Sequence, residues 1–245
     1  MTTLTNRGLG RMGFVVPVSN SNLEPDMVWL CPEGVSVHFA RAGGYDLDKI
    51  PDSDQMRQFA DASLDDVMAS ICAVRPDVVA YGCTSATLSY GPDYDREFCA
   101  KMASMAKVPC VTAAGALVEA INDLALKKVG FGSPYTQILN QEGAQFLTDE
   151  GIGVVNIAYV GNDLGNYGQG ELTPEEIFDI GVRANHDDAE GIVLSCTDMR
   201  AVEVVDELEA MLNKPVITSN QALMHTCAKR LGMKSRIPGQ LGARR

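Results

Sequence analysis

The chain of 245 residues contains two similar stretches, DVVAYGCTS at residues 77–85 and GIVLSCTD at residues 191–198. In each stretch a short apolar run leads to a cysteine followed by a threonine, at Cys83 and at Cys196. The pattern predicts a strand that delivers Cys-Thr to the start of a helix. Because one copy lies in each half of the chain, we expect the two thiols to face each other across a substrate.

Short apolar runs rich in Val and Ile recur without clean alternation, which is typical of buried parallel strands. The predicted strands are Met12–Val18, Val35–Ala40, Asp77–Tyr81, Pro109–Thr112, Lys128–Phe131, Gly153–Ala158, Gly191–Leu194 and Pro215–Thr218. Helical stretches lie between them, such as Gln55–Ala73 and the helix that opens with TPEE at residues 173–176. This alternation predicts an α/β fold with right-handed βαβ crossovers.

Two further pairs of segments repeat in the same order. VPCVTAAGALV at 108–118 resembles KPVITSNQALM at 214–224, and RMGFVVP at 11–17 resembles KKVGFGSP at 127–134. The repeats predict two pseudo-symmetric parallel-sheet α/β domains with the active site in the cleft between them. The alternative is a pair of ordinary βα turns in one longer sheet. We assign residues 1–112 and 220–245 to the first domain and residues 113–219 to the second.

Composition narrows the class of protein. A net charge of −12 argues against non-specific nucleic-acid binding, and no apolar run has the roughly 18 residues of a membrane span. The first eleven residues lack a signal peptide, and seven cysteines without a CxxC pair fit reduced thiols. The three histidines are too far apart to suggest a metal site. We therefore expect a cytoplasmic protein without membrane, nucleic-acid or metal partners.

The residues around each cysteine suggest how the site works. A thiol at a helix N-terminus is expected to have a lowered pKa, and Thr84 and Ser85 with nearby N–H groups can bind a carboxylate. Thr197 and Asp198 occupy the corresponding positions in the second half. We expect Asp198 to cap its own helix and its charge to keep a substrate carboxylate closer to Cys83.

Three further candidates lie at predicted strand ends or in a loop. Asn20 follows the first strand and can donate its amide to a carboxylate, although such residues also serve as turn or cap residues. Tyr135 occupies the equivalent strand end of the second half, where its hydroxyl can donate into the cleft or its ring can simply pack. Asn166 lies in the Gly/Asn-rich stretch Gly161–Gly170, which we predict to be a mobile loop over the cleft.

Four segments resemble the aspartate/glutamate racemase superfamily, and within it the maleate cis-trans isomerase and arylmalonate decarboxylase group. They are PVSNSNLE at 17–24, GCTS at 82–85, SPY at 133–135 and SCT at 195–197. The resemblance covers nearly the whole chain and implies two α/β domains without a metal or organic cofactor. Arylmalonate decarboxylases carry Gly in place of Cys83, so the presence of both cysteines favours isomerases and racemases. The segment SCTDMR at 195–200 fits related proteins of ectoine breakdown at least as well.

The resemblance implies conversion of maleate, or a similar cis-enedioate, to fumarate through a Cys83 thioether with Cys196 as acid and base. The same two thiols also suit a racemase of an amino acid, an N-acyl amino acid or a hydantoin. A binding protein that no longer uses its site is a third possibility. In each case the partner is a small molecule, and for the isomerase it is a carboxylate. We also expect the protein to be a homo-oligomer.

Overall fold

The computed structural model describes residues 8–43, 64–161 and 164–243. Its strands are β1 Gly10–Pro17, β2 Val35–Ala42, β3 Val78–Tyr81, β4 Cys110–Thr112, β5 Lys128–Ser133, β6 Gly153–Tyr159, β7 Gly191–Leu194 and β8 Val216–Thr218. All eight predicted strands are confirmed, with ends that differ by at most two residues. The runs of Val and Ile therefore identified the buried strands correctly.

The strands form two parallel sheets of four, ordered β2-β1-β3-β4 and β6-β5-β7-β8. The order of connections is the same in both sheets, so the predicted repeat and the two-part α/β fold are confirmed. In the first sheet Val15 of β1 lies opposite Tyr81 of β3, and in the second Gly132 of β5 lies opposite Leu194 of β7. The central strands of each sheet thus end side by side at the carboxyl edge.

Helices cover both sheets. They are α1 Leu23–Leu30, α2 Leu64–Cys72, α3 Ser85–Leu88, α4 Gly91–Ala106, α5 Ala113–Asp123, α6 Gln137–Asp149, α7 Gly165–Glu171, α8 Pro174–Ala184, α9 Val205–Leu212, α10 Ser219–Arg230 and α11 Gly239–Ala243. The predicted start of α8 is confirmed, because Thr173 and Glu176 form a reciprocal capping box. Of the predicted helix Gln55–Ala73, residues 55–63 lie outside the described part of the chain.

The two sheets share one hydrophobic core. Helices α5 and α10, which follow the last strand of each sheet, pack against each other. A single cluster of buried apolar side chains includes Phe14 of β1 and Phe131 of β5. Burial of this common cluster holds the carboxyl edges of the two sheets in a fixed relation.

Two local predictions are wrong. The stretch Gly161–Gly170 is not a continuous loop, because α7 begins at Gly165. No helix begins directly after Cys196: residues 197–200 form a turn, and a short 3₁₀ helix follows at Ala201–Val204. The many Gly and Asn residues of Gly161–Gly170 therefore did not exclude a helix. The likeness of the two Cys-Thr segments likewise did not ensure the same backbone after each cysteine.

Among the helices in the described ranges, none has the length and apolar character that crossing a membrane requires.

Candidate active site

A small cavity of about 90 Å³ lies where the carboxyl ends of the two sheets meet. Seven of the eight predicted site residues line it: Asn20, Cys83, Thr84, Ser85, Tyr135, Cys196 and Thr197. The eighth, Asn166, belongs to α7, and its side chain lies outside what the structure describes. The repeated strand ends thus bring both Cys-Thr segments to a single cavity, as the sequence predicted.

Cys83 follows β3 and is partly buried at the cavity wall. Its Sγ lies 3.7 Å from Ser85 Oγ. Loss of solvent contact raises the pKa of the thiol, and hydrogen bonds from Ser85 and from the N–H groups of Ser85 and Ala86 oppose this effect. The prediction of a lowered pKa is therefore wrong, because desolvation exceeds the influence of the short helix that follows.

Cys196 is buried and has different hydrogen-bond partners. Its Sγ donates to Gln169 Oε1 at 3.3 Å and accepts from the backbone N–H of Asp198 at 3.4 Å. Burial raises the pKa of this thiol strongly, and the nearby Asp198 carboxylate raises it further. The hydrogen bonds from the Asp198 N–H and the Tyr135 hydroxyl lower the pKa of Cys196 but do not offset burial and the Asp198 charge, so Cys196 is well suited to hold a proton.

Asn20 connects the two halves of the site. Its Oδ1 accepts from the backbone N–H groups of Asn22 and Leu23, so its Nδ2 is turned towards Thr197, to whose Oγ1 it donates at 3.1 Å. The Thr197 hydroxyl in turn donates to the carbonyl of Gly82 at 2.8 Å. One hydrogen of the Asn20 amide group remains available, since Nδ2 carries two.

Tyr135 is buried at the end of β5 and lines the cavity. Burial raises the pKa of its hydroxyl well above the usual range, and the two thiols Cys196 and Cys83 add to the effect. The backbone around it is fixed, because Asn140 Nδ2 donates to the Tyr135 carbonyl at 2.9 Å. A neutral phenol held beside both thiols can donate a hydrogen bond to a bound anion.

Asp198 lines the cavity but does not cap a helix that follows it, contrary to the prediction. Its Oδ1 accepts from the backbone N–H groups of Ser21 and Asn22, at 2.8 and 3.1 Å, just before α1. The carboxylate therefore joins the β7 end of the second sheet to the β1 end of the first. Burial raises its pKa to about 6.

Sequence reasoning missed two residues that shape the site. Gln169 projects from α7. Because we predicted a loop in this segment, no helical pattern suggested that the Gln169 side chain points to the site. Arg41, at the end of β2, donates to the carbonyls of Val18 and Asn20 at 2.9 Å each and pairs with Glu24 at 2.8 Å. The sequence showed only that Arg41 lies at the end of a strand. Its carbonyl partners lie in the loop after β1, and no pattern in the sequence connects that loop to Arg41.

The polar lining of the cavity is uncharged apart from Asp198. No Lys or Arg lines it in the described ranges. In the same part of the chain no group of three or more His, Cys, Asp or Glu side chains is arranged to hold a metal ion. The described residues therefore offer hydroxyl, amide and backbone N–H donors, together with two thiols.

Comparisons with known proteins agree with this geometry. The model of the arylmalonate decarboxylase family matches residues 12–242. The maleate isomerase of Alcaligenes faecalis is 27% identical over 250 residues, which cover 93% of each protein. The structure of the maleate isomerase Iso from Pseudomonas putida S16 has a TM-score of 0.85 at 25% identity, over 95% of this chain and 97% of that one.

A third comparison supports the fold alone. It is with a Nocardia farcinica maleate cis-trans isomerase, solved as a cysteine-to-serine mutant with a covalently bound succinylcysteine intermediate. The TM-score is 0.88 at 21% identity, over 96% of this chain and 98% of that one.

Proposed function

Because the chain belongs to the arylmalonate decarboxylase family, we propose that it is a cofactor-independent cis-trans isomerase that converts maleate, or a similar cis-enedioate, to fumarate. The observation that carries the proposal is the pair of thiols in one cavity, of which Cys196 alone donates to a side-chain amide oxygen, that of Gln169. The full-length similarity to maleate isomerases supports the choice of substrate.

The two thiols have distinct roles in this proposal. Cys83 is the nucleophile, because the hydroxyl of Ser85 and the N–H groups of Ser85 and Ala86 stabilise its thiolate. Cys196 is the acid and base, because its hydrogen bond to Gln169 and its nearness to Asp198 favour the thiol. The raised pKa of both thiols keeps them protonated near neutral pH, so the Cys83 proton first passes to water and the thiolate then attacks.

The reaction then proceeds in balanced steps. The Cys83 thiolate forms a C–S bond with one alkene carbon, and the π electrons move onto the neighbouring carbon and its carboxylate. That carbon takes the proton of Cys196, which leaves a succinyl thioether with a single bond where the double bond was. After rotation about this bond, the Cys196 thiolate removes a proton and the C–S bond breaks to give fumarate and the Cys83 thiolate.

The remaining predicted residues hold the two carboxylates and the enediolate-like intermediate. We assign this role to Asn20, Ser85, Tyr135 and Asn166, and to the backbone N–H groups at Thr84 and Thr197, because the hydroxyls of these two threonines donate to Ser219 and to the Gly82 carbonyl. Asn20 supports the assignment most directly, because its Oδ1 is occupied by backbone N–H groups and its amide nitrogen is left to donate. Hydrogen-bond donors aimed at developing charge are worth several kcal/mol in a water-excluded site, about 3 for one donor.

The test is incubation with maleate in D₂O, without added metal or cofactor, followed by proton NMR. Fumarate should form with the wild-type protein, and Cys83→Ser and Cys196→Ser should each reduce the rate by at least about 1000-fold. Cys72→Ser is the matched control, since Cys72 is partly buried outside the cavity and should retain the rate. Unchanged maleate would overturn the proposal. Exchange of the α-proton of an amino acid, N-acyl amino acid or hydantoin would then favour the racemase.

We also propose that the protein acts in the cytoplasm as a homo-oligomer. Apolar side chains exposed on α1, Val28 and Trp29, support self-association. Light scattering coupled to size exclusion gives the mass in solution, and a monomer at micromolar concentration would contradict the oligomer. Fractionation of the source cells tests the location.

A further inference from the structure

Asp198 is a buried carboxylate with one oxygen occupied and one free. Only 7% of its surface is exposed, and it lines the cavity. Oδ1 accepts from Ser21 and Asn22, as described above, and also from the Asn22 side chain at 3.3 Å. Within the described ranges no group donates to Oδ2. The position of the carboxylate is therefore fixed by the protein, while half of its hydrogen-bonding capacity is unused.

In the described part of the chain no Lys or Arg lines the cavity with Asp198, and Arg41 and Arg200 pair with Glu24 and Glu203. The other titratable groups that line the cavity are the thiols of Cys83 and Cys196 and the phenols of Tyr81 and Tyr135. The residues that donate to it before α1 are uncharged, and Gly170 of α7 approaches Oδ2 so closely that a Cβ there would lie 2.9 Å away. The charged residue nearest on α7, Glu171, is exposed and acidic.

A dicarboxylate that enters this cavity as a dianion brings two more negative charges close to Asp198, which also lines the cavity. Two ionised carboxylates close together in a poorly solvated site repel strongly, and one of them takes up a proton. A protonated carboxyl that donates to an ionised one forms a short and strong hydrogen bond. Asp198 lines the cavity, and its Oδ2 accepts no hydrogen bond from the described residues, so such a proton can be held on that oxygen.

We propose that Asp198 shares one proton with a carboxylate of the bound substrate, so that the site accepts a cis-dicarboxylate only together with that proton. The inference rests on the proposed function for the identity of the substrate. It assigns Asp198 as a specificity-determining residue that selects the protonation state of the ligand. It differs from the expectation from the sequence that the charge of Asp198 keeps a substrate carboxylate closer to Cys83.

The proposal predicts a dependence of binding on pH. The raised pKa of Asp198, about 6, means that the proton is already present below that value and must be taken from water above it. Apparent affinity for maleate should therefore fall by up to tenfold for each unit of pH above about 7, where both partners are ionised beforehand. An Asn at position 198 keeps the Oδ1 acceptor for Ser21 and Asn22 but supplies its own N–H donor.

The test measures proton uptake when maleate binds to Cys83→Ser protein, which cannot form the thioether. Calorimetry in buffers of different ionisation enthalpy at about pH 7.5 should give about one proton taken up per maleate bound. Adding Asp198→Asn should reduce the uptake to near zero while maleate still binds. Glu171→Gln is the matched control at an exposed neighbouring carboxylate and should leave the uptake unchanged.

Other outcomes overturn the proposal. They are the absence of maleate binding, the absence of uptake in the Cys83→Ser protein, or the same uptake after Asp198→Asn. If the Asp198→Asn protein does not fold, the Cys83→Ser protein at about pH 5 decides, because uptake must fall to zero or below once Asp198 is already protonated. Turnover is measured separately on wild-type protein, so failure of the isomerase proposal and failure of this one are distinguishable.

Discussion

Replacing Asp26 by Asn should stabilise the protein, and more so at alkaline pH. Asp26 lies on α1, 7% exposed, and its Oδ2 accepts from Asn220 Nδ2 at 2.7 Å. The same Asn220 nitrogen donates to the carbonyl of Thr197 at 3.0 Å, beside the cavity. Asn at position 26 can keep this contact, because its side-chain oxygen is also an acceptor.

The magnitude follows from the pKa of the carboxyl. Burial is the largest influence and raises it from 3.8 to about 7. Because the folded state holds this proton more tightly than the unfolded chain, the contribution to stability is fully present below about pH 4 and is lost as the pH rises to about 7. At about 1.4 kcal/mol for each pKa unit, the loss is at most about 4 kcal/mol, of which about 2 to 3 falls between pH 5 and pH 8.

The assay is urea unfolding of wild-type and Asp26→Asn protein at these two pH values. The difference in free energy of unfolding should favour the variant and grow by about 2 kcal/mol from the lower to the higher pH. Asp187→Asn, at an exposed turn, is the control and should show no such growth. An advantage of equal size at both values would refute the argument, because a pH-independent gain cannot come from ionisation.

Three further substitutions test the site and the fold. Gln169→Leu removes the acceptor for the Cys196 thiol, and kcat for maleate should fall about tenfold with KM little changed; an unaltered kcat contradicts the role. Gly130→Ala places a Cβ 2.1 Å from the carbonyl oxygen of Ala184 in α8, and it should lower the free energy of unfolding in urea by at least about 2 kcal/mol. Gly153→Ala is the control: its Cβ meets nothing closer than 3.6 Å, so the loss should be clearly smaller. Thr173→Ala removes the bond from the Glu176 N–H to the Thr173 hydroxyl, leaves the reciprocal bond from the Thr173 N–H to Glu176, and should lower stability by about 1 kcal/mol; no change in the unfolding midpoint would mean that this bond is not needed.

The fold could be predicted because its signals are local. Buried parallel strands need Val and Ile, so apolar runs such as the one before Cys83 mark strands directly. The internal repeat then placed Cys83 and Cys196 at equivalent strand ends. The boundaries of the two domains stay a prediction.

The parts of the site that could not be predicted depend on tertiary contacts. The pKa of each thiol is set mainly by burial, and burial follows from the packing of both sheets around the cavity. Gln169 reaches Cys196 from a helix whose Gly/Asn-rich sequence is typical of a loop. Asp198 looked like a cap for its own segment but binds the start of α1, and no pattern along the chain links the two.

The burial that raises the pKa of both thiols has a consequence for chemical durability. Peroxides attack thiolates far faster than thiols, so a cysteine that is protonated and screened from water is oxidised slowly. Without substrate both thiols have raised pKa values, and Cys196 is buried while Cys83 is partly buried; in the proposed reaction the thiolates form during turnover. Oxidative inactivation should therefore depend on turnover, and the protein should survive oxidants best when it is idle.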